Sequence, residues 1–136
     1  DYDFFYKKYL RLKPYKKEIK KKKEYPEIVI LFAGRFVWYK GISFLIEAYS
    51  CLRKERDDIG LVLLGDGPER EKYQNYVRSN NVKGVFFEGF VQQEELPMYY
   101  TSADIFVLPS LSEPWGLVVN EAMAFGLPVI STSFGC

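Results

Sequence analysis

Glu113 and Glu121 stand eight residues apart in PSLSEPWGLVVNEAMAFGLPVI, residues 109–130, a stretch that carries no other charge. A carboxylate among apolar residues needs a partner, because burying it unpaired is costly. The pair brackets the start of a helix predicted over Gly116–Phe125 and closed by Gly126. The first N–H groups of that helix, at Gly116 and Leu117, have no partner within it and can face an anion. Glu121 lies about 7.5 Å further along the axis, at 1.5 Å per residue. That is roughly the reach from a diphosphate to the ribose of the same nucleotide, whose hydroxyls a carboxylate can accept. Glu113, before the helix, falls on the other side of the phosphates, near a sugar. The bland alternative is that Glu113 complements the helix dipole and Glu121 is surface.

A second group of charges lies in GRFVWYKG, residues 34–41. Arg35 offers a planar fork suited to phosphate oxygens, and Lys40 a flexible point charge. The flanking glycines allow a tight turn and close ligand approach. Together the two cations can neutralise a diphosphate; ordinary solvated loop charge remains the alternative. Gly65-Asp66-Gly67-Pro68 is turn chemistry first and a ligand-side loop second. Phe90 and Val91 either lie against a base or pack in the core. Trp38 and Trp115 flank the same region, and Cys51 is expected to be a core thiol.

These residues must be positioned by an alternating pattern. EIVILFA reads as a buried strand ended by Gly34. A helix over Gly41–Asp57 follows, with Ile42, Leu45, Ile46, Tyr49 and Leu52 as one stripe. IGLVLLG is a second strand, Glu69–Asn80 a polar helix, Val85–Glu88 a third strand and Gln93–Ser102 a short helix. ADIFVLP is the fourth strand and PVISTS the fifth. Strands separated by helices imply an α/β, Rossmann-like doubly wound parallel sheet, in the order 3-2-1-4-5. Its ligand crevice lies between strands one and four, where the order reverses. Arg35, Lys40 and Glu113 all fall in the loops after those two strands.

Residues 1–26 show little apolar periodicity, and KKEIKKKKE has no core-facing stripe. A solvated linker is the plain expectation; contact with acidic lipid is the sharper one. With a net charge of +1, bulk electrostatics give no argument for nucleic-acid binding. The absence of histidine excludes a Ser-His or Cys-His pair within this chain, and an imidazole metal site with it. Two cysteines, Cys51 and Cys136, do not make a disulfide framework. No apolar run approaches the roughly 20 residues needed to span a bilayer, and no signal-peptide pattern is present, so a cytoplasmic setting is expected. The chain starts at Asp1 rather than Met and is expected to be a piece of a longer protein.

Taken in order, DYDFF, GRFVWYKG, GDGP, EGFV and EPWGLVVNEAMAFGLPVIS resemble the C-terminal donor-binding domain of GT-B glycosyltransferases, specifically the retaining family 4. The resemblance covers essentially the whole chain, and Glu-x7-Glu from Glu113 is its most specific element. It implies 1–26 as interdomain linker and lead-in, and 27–136 as a nucleotide-sugar-binding domain incomplete at its C-terminus. It implies that Arg35 and Lys40 contact the donor diphosphate, that Glu113 orients the transferred sugar, and that Glu121 holds the ribose. Gly116 and Leu117 match amides that meet the phosphates; Phe90 and Val91 match positions beside the base. The implied reaction moves a sugar from a nucleotide-diphosphate donor to an acceptor hydroxyl with retention. It uses no metal or other cofactor, and takes a glycan or lipid-linked acceptor through an N-terminal domain. Peripheral contact with the inner face of a membrane fits that role. The piece by itself is expected to be inactive. A non-catalytic nucleotide-sugar-binding protein, or another GT-B enzyme such as an epimerase or phosphorylase, stays open as an alternative.

Overall fold

The computed structural model describes residues 2–111 and 117–132. Five strands, β1 (Ile28–Ala33), β2 (Ile59–Leu64), β3 (Val85–Gly89), β4 (Ile105–Leu108) and β5 (Val129–Ser131), form one parallel sheet. Their order is β3-β2-β1-β4-β5, as the alternating pattern predicts. Parallel strands buried on both faces read as continuous apolar runs. IGLVLL of β2 is such a run, with all six residues buried. It pairs in register with β1 from Ile28↔Ile59 to Ala33↔Leu64.

The connections after the first two strands are α3 (Ile42–Arg53) and α4 (Arg70–Ser79), which pack on each other. Helix α3 buries Ile42, Leu45, Ile46 and Tyr49, the predicted stripe, but Leu52 is largely exposed. At about 100° per residue, Leu52 falls at the flank of the stripe that Ile42 and Tyr49 centre. Cys51 falls opposite Ile42 and is exposed, so the expectation of a core thiol is wrong. The later connections are α5 (Leu96–Ser102) and α6 (Leu117–Ala124). Gly126, at φ +70°, ends α6 as a left-handed C′ glycine, its N–H bonded to Met123 O at 2.9 Å.

The leading segment differs from the expectation of a solvated linker without a core face. It forms α1 (Tyr2–Leu12), a 3₁₀ turn (Lys13–Tyr15) and α2 (Lys16–Lys23). Phe5 of α1 is buried edge-on to Tyr100 and Phe125, with ring centroids 6.2 Å from each. Helix α2 buries Ile19 and turns two lysines inward as well. Lys20 Nζ donates to Asp104 Oδ2 at 2.6 Å, and Lys16 Nζ lies 3.0 Å from Asp104 Oδ1. Val29 N–H completes the cage by donating to Asp104 Oδ2 at 2.8 Å. Burial opposes ionisation of this carboxyl, but the bonds from Lys20, Val29 and Lys16 outweigh it and hold it below the usual carboxylate range. The lysine run thus clamps the leading helices onto the start of β4. Among the described residues, no helix is long and apolar enough to cross a membrane.

Candidate functional site

The loop after β1 is shaped by one buried ring and by backbone contacts. Phe36 is fully enclosed, with ring centroids 5.8 Å from Tyr73 and 6.3 Å from Phe87. Its N–H bonds Asp66 O at 2.9 Å, tying the loop to the turn after β2. The preceding Arg35 is therefore held at a fixed place while its side chain remains exposed. Gly65, at φ +132°, sits so close to Gly34 that an added Cβ would lie 1.9 Å from Gly34 O. Glycine is required there by space and by backbone conformation.

The loops after β1 and β4 also meet directly. Leu111 N–H donates to Tyr39 O at 2.7 Å. At Gly41, φ +71°, a Cβ would lie 2.0 Å from Pro109 O. The two lips of the switch-point crevice are thus packed on each other, as the topology demands of neighbouring strands. Glu113, Trp115 and Gly116 lie outside the described residues.

A cavity of about 240 Å³ opens at the carboxyl ends of the strands, beside this junction. Its polar lining is Arg35, Asp66 and Glu121; its apolar lining includes Phe90, Val91, Leu96, Tyr100 and Val118. Arg35, Glu121, Phe90 and Val91, singled out from the sequence, are brought together here. Leu117 is not: with Tyr2, Phe5, Asn120 and Met123 it borders a neighbouring hollow that shares Glu121. Lys40, half-buried in a 3₁₀ turn over Trp38–Lys40, does not line the cavity either. Phe90 is 74% exposed, which removes core packing as its role. Val91 packs against the core. Gly65-Asp66 makes the turn and lines the cavity at once. A wider groove of about 900 Å³ runs along α2, but it is an open surface away from the strand ends. Among the described residues, no cluster of three or more His, Cys, Asp or Glu is placed to hold a metal ion.

Sequence reasoning missed Tyr100. It is 0% exposed, and its phenol donates to Glu121 Oε1 at 2.7 Å. Burial, and then the Glu121 charge, push the phenol well above its ordinary value, so it stays protonated and keeps donating. The signal was present in YYTSAD: a tyrosine deep in a helix face needs a partner for its hydroxyl. The partner lies 21 residues away and is invisible without the fold.

The family model described as "Glycosyl transferases group 1" matches residues 15–136, nine-tenths of the chain. The chain belongs to this family. As a group 1 glycosyltransferase it is 42% identical over 110 residues to an uncharacterized glycosyltransferase of Methanocaldococcus jannaschii, covering 80% of this chain and 28% of that one. It is 39% identical over 111 residues to a D-inositol 3-phosphate glycosyltransferase of Paenarthrobacter aurescens, covering 78% and 27%. Among solved structures, the C-terminal domain of a group 1 glycosyl transferase from Francisella tularensis superposes with a TM-score of 0.76. That pair is 28% identical and covers 87% of this chain and 65% of the other. The GT-B resemblance and the Rossmann-like sheet are both met. The chain spans between a quarter and a third of the length of these two curated relatives.

Proposed function

We propose that this glycosyltransferase chain is the donor-binding half of an enzyme that transfers a sugar from a nucleoside diphosphate to an acceptor hydroxyl with retention. One observation carries the reading: a cation, Arg35, and a carboxylate, Glu121, line the same cavity at the carboxyl ends of a doubly wound sheet. Arg35 receives the diphosphate; Glu121 accepts the ribose hydroxyls; Phe90 and Val91 border the base. Glu113 orients the sugar. In the transfer, the bond from the anomeric carbon to the diphosphate oxygen breaks, its electrons staying on the phosphate. The acceptor oxygen bonds that carbon from the face the diphosphate leaves, and its hydroxyl proton passes to the departing phosphate oxygen. Arg35 stabilises the charge that collects on the leaving group. A protein cation at that place supplies what a metal would, so metal-independent transfer is part of the proposal.

The acceptor, a glycan or a lipid-linked sugar, is bound by a further domain, which residues 1–26 join to 27–136. The relatives' greater length supports this. A cytoplasmic setting with peripheral contact to anionic lipid is supported by charge. Ten of the 19 Lys and Arg, but two of the 18 Asp and Glu, fall within Tyr2–Lys23. Flotation of the whole protein with anionic but not neutral vesicles checks this contact.

The test of transfer is proton NMR of the whole protein with UDP-, GDP- and ADP-sugars and an acceptor panel. The first-formed product is expected to keep the donor's anomeric configuration. An inverted product sinks retention, and donor binding without any turnover points to a non-catalytic nucleotide-sugar-binding protein.

A further inference from the structure

We infer that Tyr100 is a positioning residue of the donor site: its phenol fixes the rotamer of Glu121 and occupies one carboxylate oxygen, leaving the other for the vicinal diol of the ribose. The inference rests on the proposed donor site and adds to it a residue from a different helix.

The phenol is held from three directions. Its ring stacks on Phe125 at 5.4 Å and 25°, meets Phe5 of α1 edge-on at 6.2 Å, and tilts against Phe106 of β4 at 6.2 Å. A ring packed this way cannot follow a moving carboxylate; the carboxylate must come to it. Its hydroxyl reaches Glu121 Oε1 at 2.7 Å, and both residues line the same cavity. Among the described residues, no other side chain bonds or pairs with Glu121.

A glutamate has three free torsions, and ordering such a side chain on binding costs conformational entropy. Tyr100 meets that cost on folding, before ligand arrives. An ionised carboxylate offers about four lone-pair sites. The phenol takes one of those on Oε1, so Oε2 stays open to two donors. Burial, and then the Glu121 charge, hold the phenol above its ordinary value, so it keeps its proton and donates at neutral pH. Phe5 extends the chain of support to α1, the leading helix.

Tyr100→Phe removes one oxygen and no packing. The readout is the affinity of the whole protein for UDP, GDP and ADP and for their 2′-deoxy counterparts, measured by calorimetry. The wild type is expected to prefer the ribonucleotide. Tyr100→Phe should lower that preference about five- to tenfold, with the deoxynucleotide affinity unchanged. In a Glu121→Ala background the same change should add nothing, as a shared interaction requires. Equal weakening of both nucleotides means a merely structural tyrosine and overturns the inference, as does an unchanged preference. A wild type that binds nucleoside diphosphates without ribose preference overturns it while leaving the donor site standing. A wild type that binds none of the three removes the donor site itself. If Tyr100→Phe does not fold, Glu121→Ala alone decides: a preference that survives it overturns the inference.

Discussion

Arg35→Ala should lower kcat about 10²–10³-fold, the range seen when one preorganised donor to a developing oxyanion is removed. Arg35 lies in a loop whose position is set by Phe36 beneath it and by the Asp66 carbonyl beside it. The loop backbone therefore needs little reorganisation when the guanidinium meets negative charge building on the departing diphosphate. An interaction that strengthens in the transition state appears in kcat; one equally strong in the ground state appears in KM alone. Arg35→Lys should recover part of the loss, because the charge returns without the planar fork. Steady-state kinetics of the whole protein check this, and a variant that raises KM with kcat intact would make Arg35 a binding residue only.

The largest expected effect on stability belongs to Asp104→Ala, at about 2–3 kcal/mol. The side chain is 30% exposed, which places it between a surface pair and a fully buried one. Its removal strands the Val29 N–H and leaves the Lys20 ammonium without its counter-charge. Lys20 keeps a bond to Glu27 O and Lys16 one to Ala103 O, so the lysines are not wholly orphaned. The sign with pH follows from the lowered folded-state value. The unfolded aspartate titrates near 3.9, so the contribution is complete above about pH 4–5. It is lost as pH falls through the lower folded value. Thermal unfolding at pH 7 should separate wild type and variant clearly; near pH 2 the gap should shrink. A gap that is constant across that range would mean that Asp104 acts by packing and not by charge.

These two residues also mark what a sequence can and cannot reveal. Strand β2 is legible because its neighbours on both faces demand an unbroken apolar run, and the strand–helix alternation then implies the order of the sheet. The crevice follows from that order, and Arg35 with it. Helices α1 and α2 were not legible as part of the body. Ile19 is a single apolar residue among lysines, and the partner that turns Lys16 and Lys20 inward lies more than 80 residues away. Within the site, Glu121 was read from its place in a helix, but nothing local says that a phenol from α5 holds it. Phe90 had two readings because an aromatic after a strand suits either a core or a ligand; exposure decided between them. Leu52 sits on the flank of a stripe drawn too wide on α3, whereas Cys51 was assigned to the core by residue type alone and faces away from it.

A nucleoside diphosphate is expected to bind at the strand ends, between Arg35 and Glu121. The most direct test is amide-detected NMR of the whole protein titrated with UDP, GDP and ADP in turn. With at least one of them, the amides of Gly34, Arg35, Phe90, Val91 and Glu121 should shift while those of Lys17 and Lys21 on α2 stay in place. Shifts confined to α2, or none with any of the three, would contradict the claim.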